Sequence, residues 1–214
     1  KRYDEAWMLM NQALDIAIQI DSKRQIVACH KQLYYLCREF KRMMNERGDE
    51  QASTLFFRES LLHEMYFSEK PRLAELTVRY EALRCDIMQQ YYMNKDYDNV
   101  IRIATSLDFH DDADPNASCL VYYYKAQAYV KLENYPMAKE AFFRELELRK
   151  KYLGWEEEDT ILACQNLGVL HSFCNEREEA LACFREAYGH EVKKNGEDSE
   201  MAQKLLQYIS VVES

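Results

Sequence analysis

The sequence has few of the residues that punctuate β structure and no long apolar run. It holds only five Gly and three Pro among 214 residues, too few for the turns of a many-stranded β fold. No stretch approaches the ~20 consecutive apolar residues that a membrane-spanning helix needs. The first residues, 1–5, already include two acids and lack the pattern of a signal peptide. We therefore expect neither a β protein nor a membrane-spanning one.

Paired cysteine motifs are absent as well. The number of cysteines is odd, no two form a CxxC pair, and all lie in segments predicted to be helical. Zinc and redox motifs of the common kinds need such paired spacing. We expect buried, reduced thiols in a cytoplasmic protein. The seven residues are Cys29, Cys37, Cys85, Cys119, Cys164, Cys174 and Cys183.

The chain also lacks an excess of positive charge. The net charge is −9 and the isoelectric point is about 5.2. Nucleic-acid binding normally requires a basic surface that displaces counterions from phosphates. The basic groups 41–42, 149–151 and 193–194 fall late in predicted helices, where they complement the helix dipole. We expect no direct nucleic-acid partner and no membrane partner.

The chain is instead rich in helix-forming and aromatic residues. Leu, Ala, Glu, Lys, Gln, Met and Arg are plentiful, and sixteen Tyr supply large side chains for a core. The Asp114-Pro115 pair marks a helix start, and Gly154 and Gly196 mark breaks. The pattern predicts ten helices, at about 4–20, 22–45, 50–66, 71–94, 97–107, 115–133, 136–152, 157–174, 177–194 and 198–212.

An internal repeat organises these helices. The segments 133–142 and 175–184 align without gaps, so that Ala138 and Ala180 are 42 residues apart. The pattern recurs upstream with more drift at three further turns, each followed by a small or apolar residue: Val100, Ala52 and Ala6. Five turn-and-helix starts thus recur every 38 to 48 residues.

Close packing between paired helices accounts for this pattern. A small residue early in the second helix lets the first helix approach, and a large apolar residue one turn later fills the space beyond it. A short polar turn makes the two helices antiparallel neighbours. Each pair leaves an apolar flank that the next pair covers.

The residues of the C-terminal half resemble the tetratricopeptide repeat. Leu167 and Gly168 form the large and small pair of a first helix. Three matching positions of a second helix follow: Ala180, Phe184 and Ala187. The match is best over 115–202 and weakest over 1–70.

The preceding copy matches at Ala126 and Tyr129, then at Ala138 and Phe142. The 42-residue spacing and the segment 152–168 resemble the kinesin-light-chain type of this repeat.

This resemblance implies an all-α fold, a right-handed superhelix (α-solenoid) of about five antiparallel helix pairs. We expect a single repeat domain over 1–214, cut from a longer protein, because the chain begins in a second helix and stops after a first helix. The expected repeats are 1–20 (second helix only), 22–66, 71–107, 115–152, 157–194 and 198–214 (first helix only).

The resemblance also implies a binding surface, because first helices line the concave groove of such a stack. The groove would be polar and aromatic, suited to an extended or helical peptide. It maps to Tyr34, Cys37, Lys41, Gln89, Tyr92, Tyr123, Gln127, Gln165 and Asn166.

Two tyrosine runs, 91–92 and 122–124, bear on the same surface. Neighbouring residues of a helix point about 100° apart, so each run should bring at least one ring to a surface. Whether these rings belong to the groove or to the core stays open.

Catalytic and metal-binding motifs are not evident. The segment 110–114 (HDDAD) offers possible metal ligands, but we interpret it as an acidic loop that caps the next helix. His63-Glu64 matches half of a zincin motif, yet Phe67 occupies the position of the second His. No phosphate-binding loop or nucleophile elbow occurs. We expect no enzyme activity, no cofactor and no metal.

The function predicted from the sequence is a protein–protein or protein–peptide scaffold. Its partner would be a protein or peptide, or another domain of the same full-length chain. The alternative is a ligand- or peptide-responsive sensor segment of a larger signalling protein, such as a transcription regulator. A domain with a catalytic or DNA-binding motif elsewhere in the full-length protein would favour that alternative.

Overall fold

The computed structural model describes residues 2–72, 80–105 and 114–214, and within these ranges every regular element is a helix. This confirms the predicted all-α class. The described ranges contain ten helices: α1 (Arg2–Gln19), α2 (Lys23–Arg47), α3 (Glu50–Glu64), α4 (Tyr80–Met93), α5 (Tyr97–Thr105), α6 (Pro115–Lys131), α7 (Tyr135–Tyr152), α8 (Glu158–Phe173), α9 (Arg177–Asn195) and α10 (Glu200–Glu213).

The helix boundaries follow the punctuation of the sequence. The Asp114 carboxylate accepts a hydrogen bond from the backbone N–H of Ala117 at 3.3 Å, and Pro115 occupies the first turn of α6. Gly154, after α7, has a φ of +76°, a backbone conformation that Gly adopts without steric cost. The predicted start at Asp114-Pro115 is confirmed.

The chain forms two compact units, Lys1–Gln90 (unit 1) and Tyr91–Ser214 (unit 2). In unit 1, α1 packs on α2 and α2 packs on α3. Trp7 lies edge-on to both Phe40 and Phe56, with ring centroids 5.7 and 6.2 Å away. The buried apolar residues of this unit include Leu14, Leu33, Leu55, Leu61, Leu62, Leu83, Ile87 and Met88.

In unit 2, each helix packs on the next one along the chain from α5 to α10. Ala138 and Ala180, the small residues of the two best-aligned repeats, are both fully buried. Phe142 and Phe184, the large residues one turn later, are 3% and 1% exposed. The predicted packing register of these repeats is therefore confirmed.

Gly168 shows most clearly why a small residue is needed. A Cβ atom at this position would lie 2.8 Å from Cε1 of Phe184 and 3.0 Å from Cβ of Cys183. Helix α9 thus approaches the backbone of α8 more closely than any residue with a side chain would permit.

All seven cysteines are thiols, and four of them are buried: Cys37, Cys85, Cys119 and Cys164. Among the helices that the structure describes, none combines the length and the apolar character required to cross a membrane.

Candidate functional site

An apolar pocket opens on the surface of unit 2. Its volume is about 250 Å³, somewhat below the ~300–1,000 Å³ of typical small-molecule sites. A pocket of this size fits one or two side chains of a partner better than a cofactor. The lining residues come from α6 (Gln127, Val130), α7 (Tyr135, Phe142) and α8 (Asn166, Val169, Leu170, Phe173).

Helix geometry brings the α8 residues to one face. Asn166, Val169 and Phe173 are spaced by three and four residues, so they lie one above another along the helix. Gln127 and Val130 repeat this spacing on α6. First helices of consecutive repeats thus supply two sides of the pocket.

Large apolar side chains remain exposed at its mouth. Phe173 is 66% exposed and Val169 is 41% exposed. The Phe173 ring contacts Tyr135, with ring centroids 5.1 Å apart. Exposed apolar groups around a concave site mark binding surfaces more often than isolated ones do.

Two side-chain amides stand among these apolar groups. Gln127 and Asn166 are both half-buried in the pocket lining. Each amide can donate to a carbonyl and accept from an N–H, the two groups that a peptide backbone presents. The pocket therefore combines an apolar space with backbone-type hydrogen-bonding groups.

Tyr123 lies one turn before Gln127 on α6. Its ring contacts Phe142 edge-on at 6.5 Å and packs against the buried core of unit 2. Burial is the main cause that raises the pKa of Tyr123, the nearby Glu145 adds to the rise, and a hydrogen bond with Gln127 opposes it. Tyr123 thus links the pocket lining to the core.

A buried ion pair lies close to Tyr123. Nε of Arg149 donates to Oε1 of Glu145 at 2.8 Å, and Nη1 of Arg149 donates to Asp159 at 3.2 Å. Burial raises the pKa of Glu145 to about 7, although Arg149 opposes the shift. Burial therefore favours the protonated carboxyl of Glu145 more in the folded chain than in the unfolded one.

The structure brings together part of the residue set predicted from the sequence. Gln127 and Asn166 line the same pocket, and Tyr123 adjoins Gln127. Gln165 is 5% exposed, and its Oε1 has no hydrogen-bond partner among the described residues. Tyr92, in the same unit, contacts Tyr97 and Tyr124 at centroid distances of 5.6 and 5.8 Å.

The remaining predicted residues lie in unit 1. The Tyr34 hydroxyl accepts a hydrogen bond from Arg72 at 3.1 Å, and Arg72 also pairs with Glu64 at 2.9 Å. The Lys41 ammonium lies 4.2 Å from the centroid of the Phe57 ring. Gln89 is exposed on α4, and Cys37 is fully buried.

The tyrosine runs behave as the helix geometry predicts. All three rings of the 122–124 run are partly exposed, and in the other run Tyr91 is buried whereas Tyr92 is partly exposed. Each run therefore brings at least one ring to a surface.

Sequence reasoning missed the apolar half of the pocket. It selected polar and aromatic positions of first helices, so Val169 and Phe173 were left out, and Tyr135 begins a second helix. The signal was present in Phe173, a large apolar residue two positions before the Asn175 turn. Of the acidic segment considered as a metal site, positions 110–113 lie outside the described residues, and Asp114 is the cap of α6.

Comparison with solved structures supports the fold. No family model matches the sequence, and no curated protein matches it. Among solved structures, the chain is similar to the crystal structure of BtubC (BKLC) from P. vanneervenii, a kinesin light chain-like repeat protein. The TM-score is 0.56 at 13% identity, covering 99% of this chain and 83% of that one. This likeness shows a helical repeat fold of the tetratricopeptide kind.

Proposed function

We propose that the chain is a protein-interaction module whose pocket in unit 2 receives an apolar side chain of a protein or peptide partner. The observation that carries this proposal is the pocket itself, with Val169 and Phe173 exposed beside the amides of Gln127 and Asn166. Apolar anchors in a preformed pocket supply most of the binding free energy in such complexes.

The chemistry of the lining suggests what the partner offers. Burying a Leu- or Phe-sized side chain contributes roughly 1.5–3 kcal/mol. Gln127 and Asn166 would hold the adjacent backbone of an extended or helical segment through amide hydrogen bonds. Tyr123, one turn from Gln127, would extend the contact along α6.

The other predicted surface residues belong to the same proposal. Tyr34, Lys41 and Gln89 would contribute to a peptide-contacting surface on the first helices of unit 1. Tyr92 and Gln165 would contribute to the surface of unit 2. The partner is a separate protein or peptide, or another domain of the full-length chain. The seven cysteine thiols support a reducing, cytoplasmic environment. The distant likeness to a repeat scaffold supports binding rather than catalysis.

A peptide-display selection against the immobilised chain, followed by calorimetric titration of the selected peptides, tests this function. Phe173→Ala and Gln127→Ala should each weaken binding, with Phe173→Ala costing about 2 kcal/mol, or roughly 30-fold. Phe143→Ala is the matched control, because Phe143 is also exposed (56%) but does not line the pocket. Equal affinity of the Phe173→Ala and Phe143→Ala variants would contradict the proposed site.

A further inference from the structure

A buried cluster of metal-ligating side chains joins α2 to α3 in unit 1. Cys37 lies on α2, whereas Glu59 and His63 lie on α3, and the ligand atoms of all three are within 4.8 Å of one another. Their side chains are 0%, 0% and 4% exposed. Nothing in the proposed binding function uses these groups.

The geometry of α3 aligns two of the three groups. Glu59 and His63 are four residues apart and therefore share one helix face. Nε2 of His63 lies 3.8 Å from Oε1 of Glu59, beyond ordinary hydrogen-bond length. Two tetrahedral ligand atoms at zinc bond lengths are about 3.4 Å apart. A small movement would thus place both atoms around one ion.

A second histidine contacts the other ring nitrogen of His63. Nδ1 of His63 lies 2.9 Å from Nδ1 of His30, and the fully buried His30 ring stacks on Tyr66 at a centroid distance of 3.6 Å. Metal-ligating histidines are commonly held by such a hydrogen bond on the other ring nitrogen. With Nδ1–H of His63 donating to Nδ1 of His30, Nε2 is the unprotonated ring nitrogen of His63, the form in which imidazole binds a metal, and it lies on the side of Glu59.

The donor set also selects a class of ion. A thiolate, a carboxylate and a neutral imidazole carry two negative charges together, which one divalent cation neutralises. Mixed S, O and N donors favour zinc or cobalt, whereas calcium and magnesium take oxygen ligands.

We propose that Cys37, Glu59 and His63 bind a zinc-class divalent ion, with His30 as the positioning residue that orients His63. Three protein ligands leave a fourth tetrahedral position for water. The ion links α2 to α3, so its binding free energy adds to the folding stability of unit 1. This role is independent of the pocket in unit 2.

Reconstitution of the full chain with cobalt tests the site directly. After treatment with a chelator, the chain should bind one Co²⁺ and show a thiolate-to-cobalt charge-transfer band. Zn²⁺ should displace the cobalt. The zinc-bound chain should melt at a higher temperature than the metal-free chain. Cys37→Ser should lose the band and the stoichiometric binding. Cys85→Ser, a matched buried cysteine of the same unit (7% exposed), should keep both.

Two further variants separate ligands from supporting groups without removing a thiol. His30→Asn should weaken cobalt binding by about 10- to 100-fold and retain the band. Glu59→Gln, which leaves the size of the side chain nearly unchanged, should weaken cobalt binding by more than His30→Asn does. These variants decide the question even where Cys37→Ser fails to fold. Wild-type chain that takes up no stoichiometric cobalt, or that takes it up without the thiolate band, overturns the proposal.

Discussion

One helix contact in each unit shows the contrast between the two units: that of α2 with α3 in unit 1, and that of α8 with α9 in unit 2. In unit 2, α8 and α9 meet through small residues such as Gly168 and Ala180, and Phe184 fills the space beside them. In unit 1, α2 and α3 enclose polar side chains, among them His30 and Glu59. The difference explains why the repeat pattern is plain in the C-terminal half and faint near the N-terminus. Close apolar packing constrains residue size at fixed positions, whereas a polar cluster constrains chemical partners instead.

The largest expected effect concerns Glu145, one of the buried polar side chains of unit 2. Its folded pKa of about 7 exceeds its ordinary value of 4.5, so the folded state binds the proton more tightly than the unfolded state. The resulting stabilisation is full below pH 4.5 and is lost as the pH rises through about 7. It amounts to at most about 3 kcal/mol.

The Glu145→Gln variant, neutral at every pH, checks this dependence. The difference in unfolding free energy between the variant and the wild type, measured by urea denaturation from pH 5 to pH 8, should grow in favour of the variant as the pH rises. Taking the difference removes the contribution of groups such as Glu176, whose pKa is lowered by hydrogen bonds from Lys139 and His171. A difference that does not change with pH would show that Glu145 is ionised throughout.

The second expected effect tests the close approach of α8 and α9. Gly168→Ala places a Cβ against Phe184 and Cys183 and should lower the unfolding free energy by about 1–3 kcal/mol. Gly189→Ala is the matched control, because an added Cβ there meets nothing within 4 Å. It should stabilise α9 by about 0.5–1 kcal/mol. Thermal denaturation of both variants shows whether each substitution raises or lowers the stability. A change in the same direction for both would refute the packing argument.

The smallest expected effect compares helix caps of the two units. The Asp49 carboxylate accepts from the N–H of Ala52 at 3.0 Å in unit 1, and the Asn134 amide oxygen accepts from the N–H of Met137 at 3.4 Å in unit 2. Removal of a cap typically costs about 0.5–2 kcal/mol. We expect Asp49→Ala to cost more than Asn134→Ala in denaturant titrations, because its bond is shorter and its acceptor is charged. The reverse order would contradict the expectation that the shorter bond and the charged acceptor make the stronger cap.

Much of the fold follows from the sequence because its determinants are local. Caps such as Asp114, and small residues such as Ala138 and Ala180 at a fixed spacing, specify where helices begin and how closely they approach. The 42-residue period therefore predicts both the helices and their order of packing in unit 2.

The pocket and the metal-ligating cluster are harder to predict from the sequence, because each is formed by residues from different helices. Asn166 and Gln127 share a pocket only once α6 and α8 are placed side by side. Cys37 lies 22 residues before Glu59, a spacing that matches no metal motif, and the cluster emerges only when α3 folds back on α2. Sequence reasoning linked His63 to Glu64, whereas Glu64 pairs with Arg72 and the nearby carboxylate is Glu59.

The contact between Gly168 and Phe184 has a consequence for engineering. Gly168 does not line the pocket, yet Val169 follows it directly and Phe173 lies five residues further along the same helix. The Phe184 ring packs directly on the backbone of α8 at Gly168. This contact constrains the rotation of α8 about its own axis, and that rotation determines the direction in which the pocket residues of α8 point. Ligand preference could therefore be retuned by changing side-chain size at the α8–α9 contact, with every pocket residue left as it is.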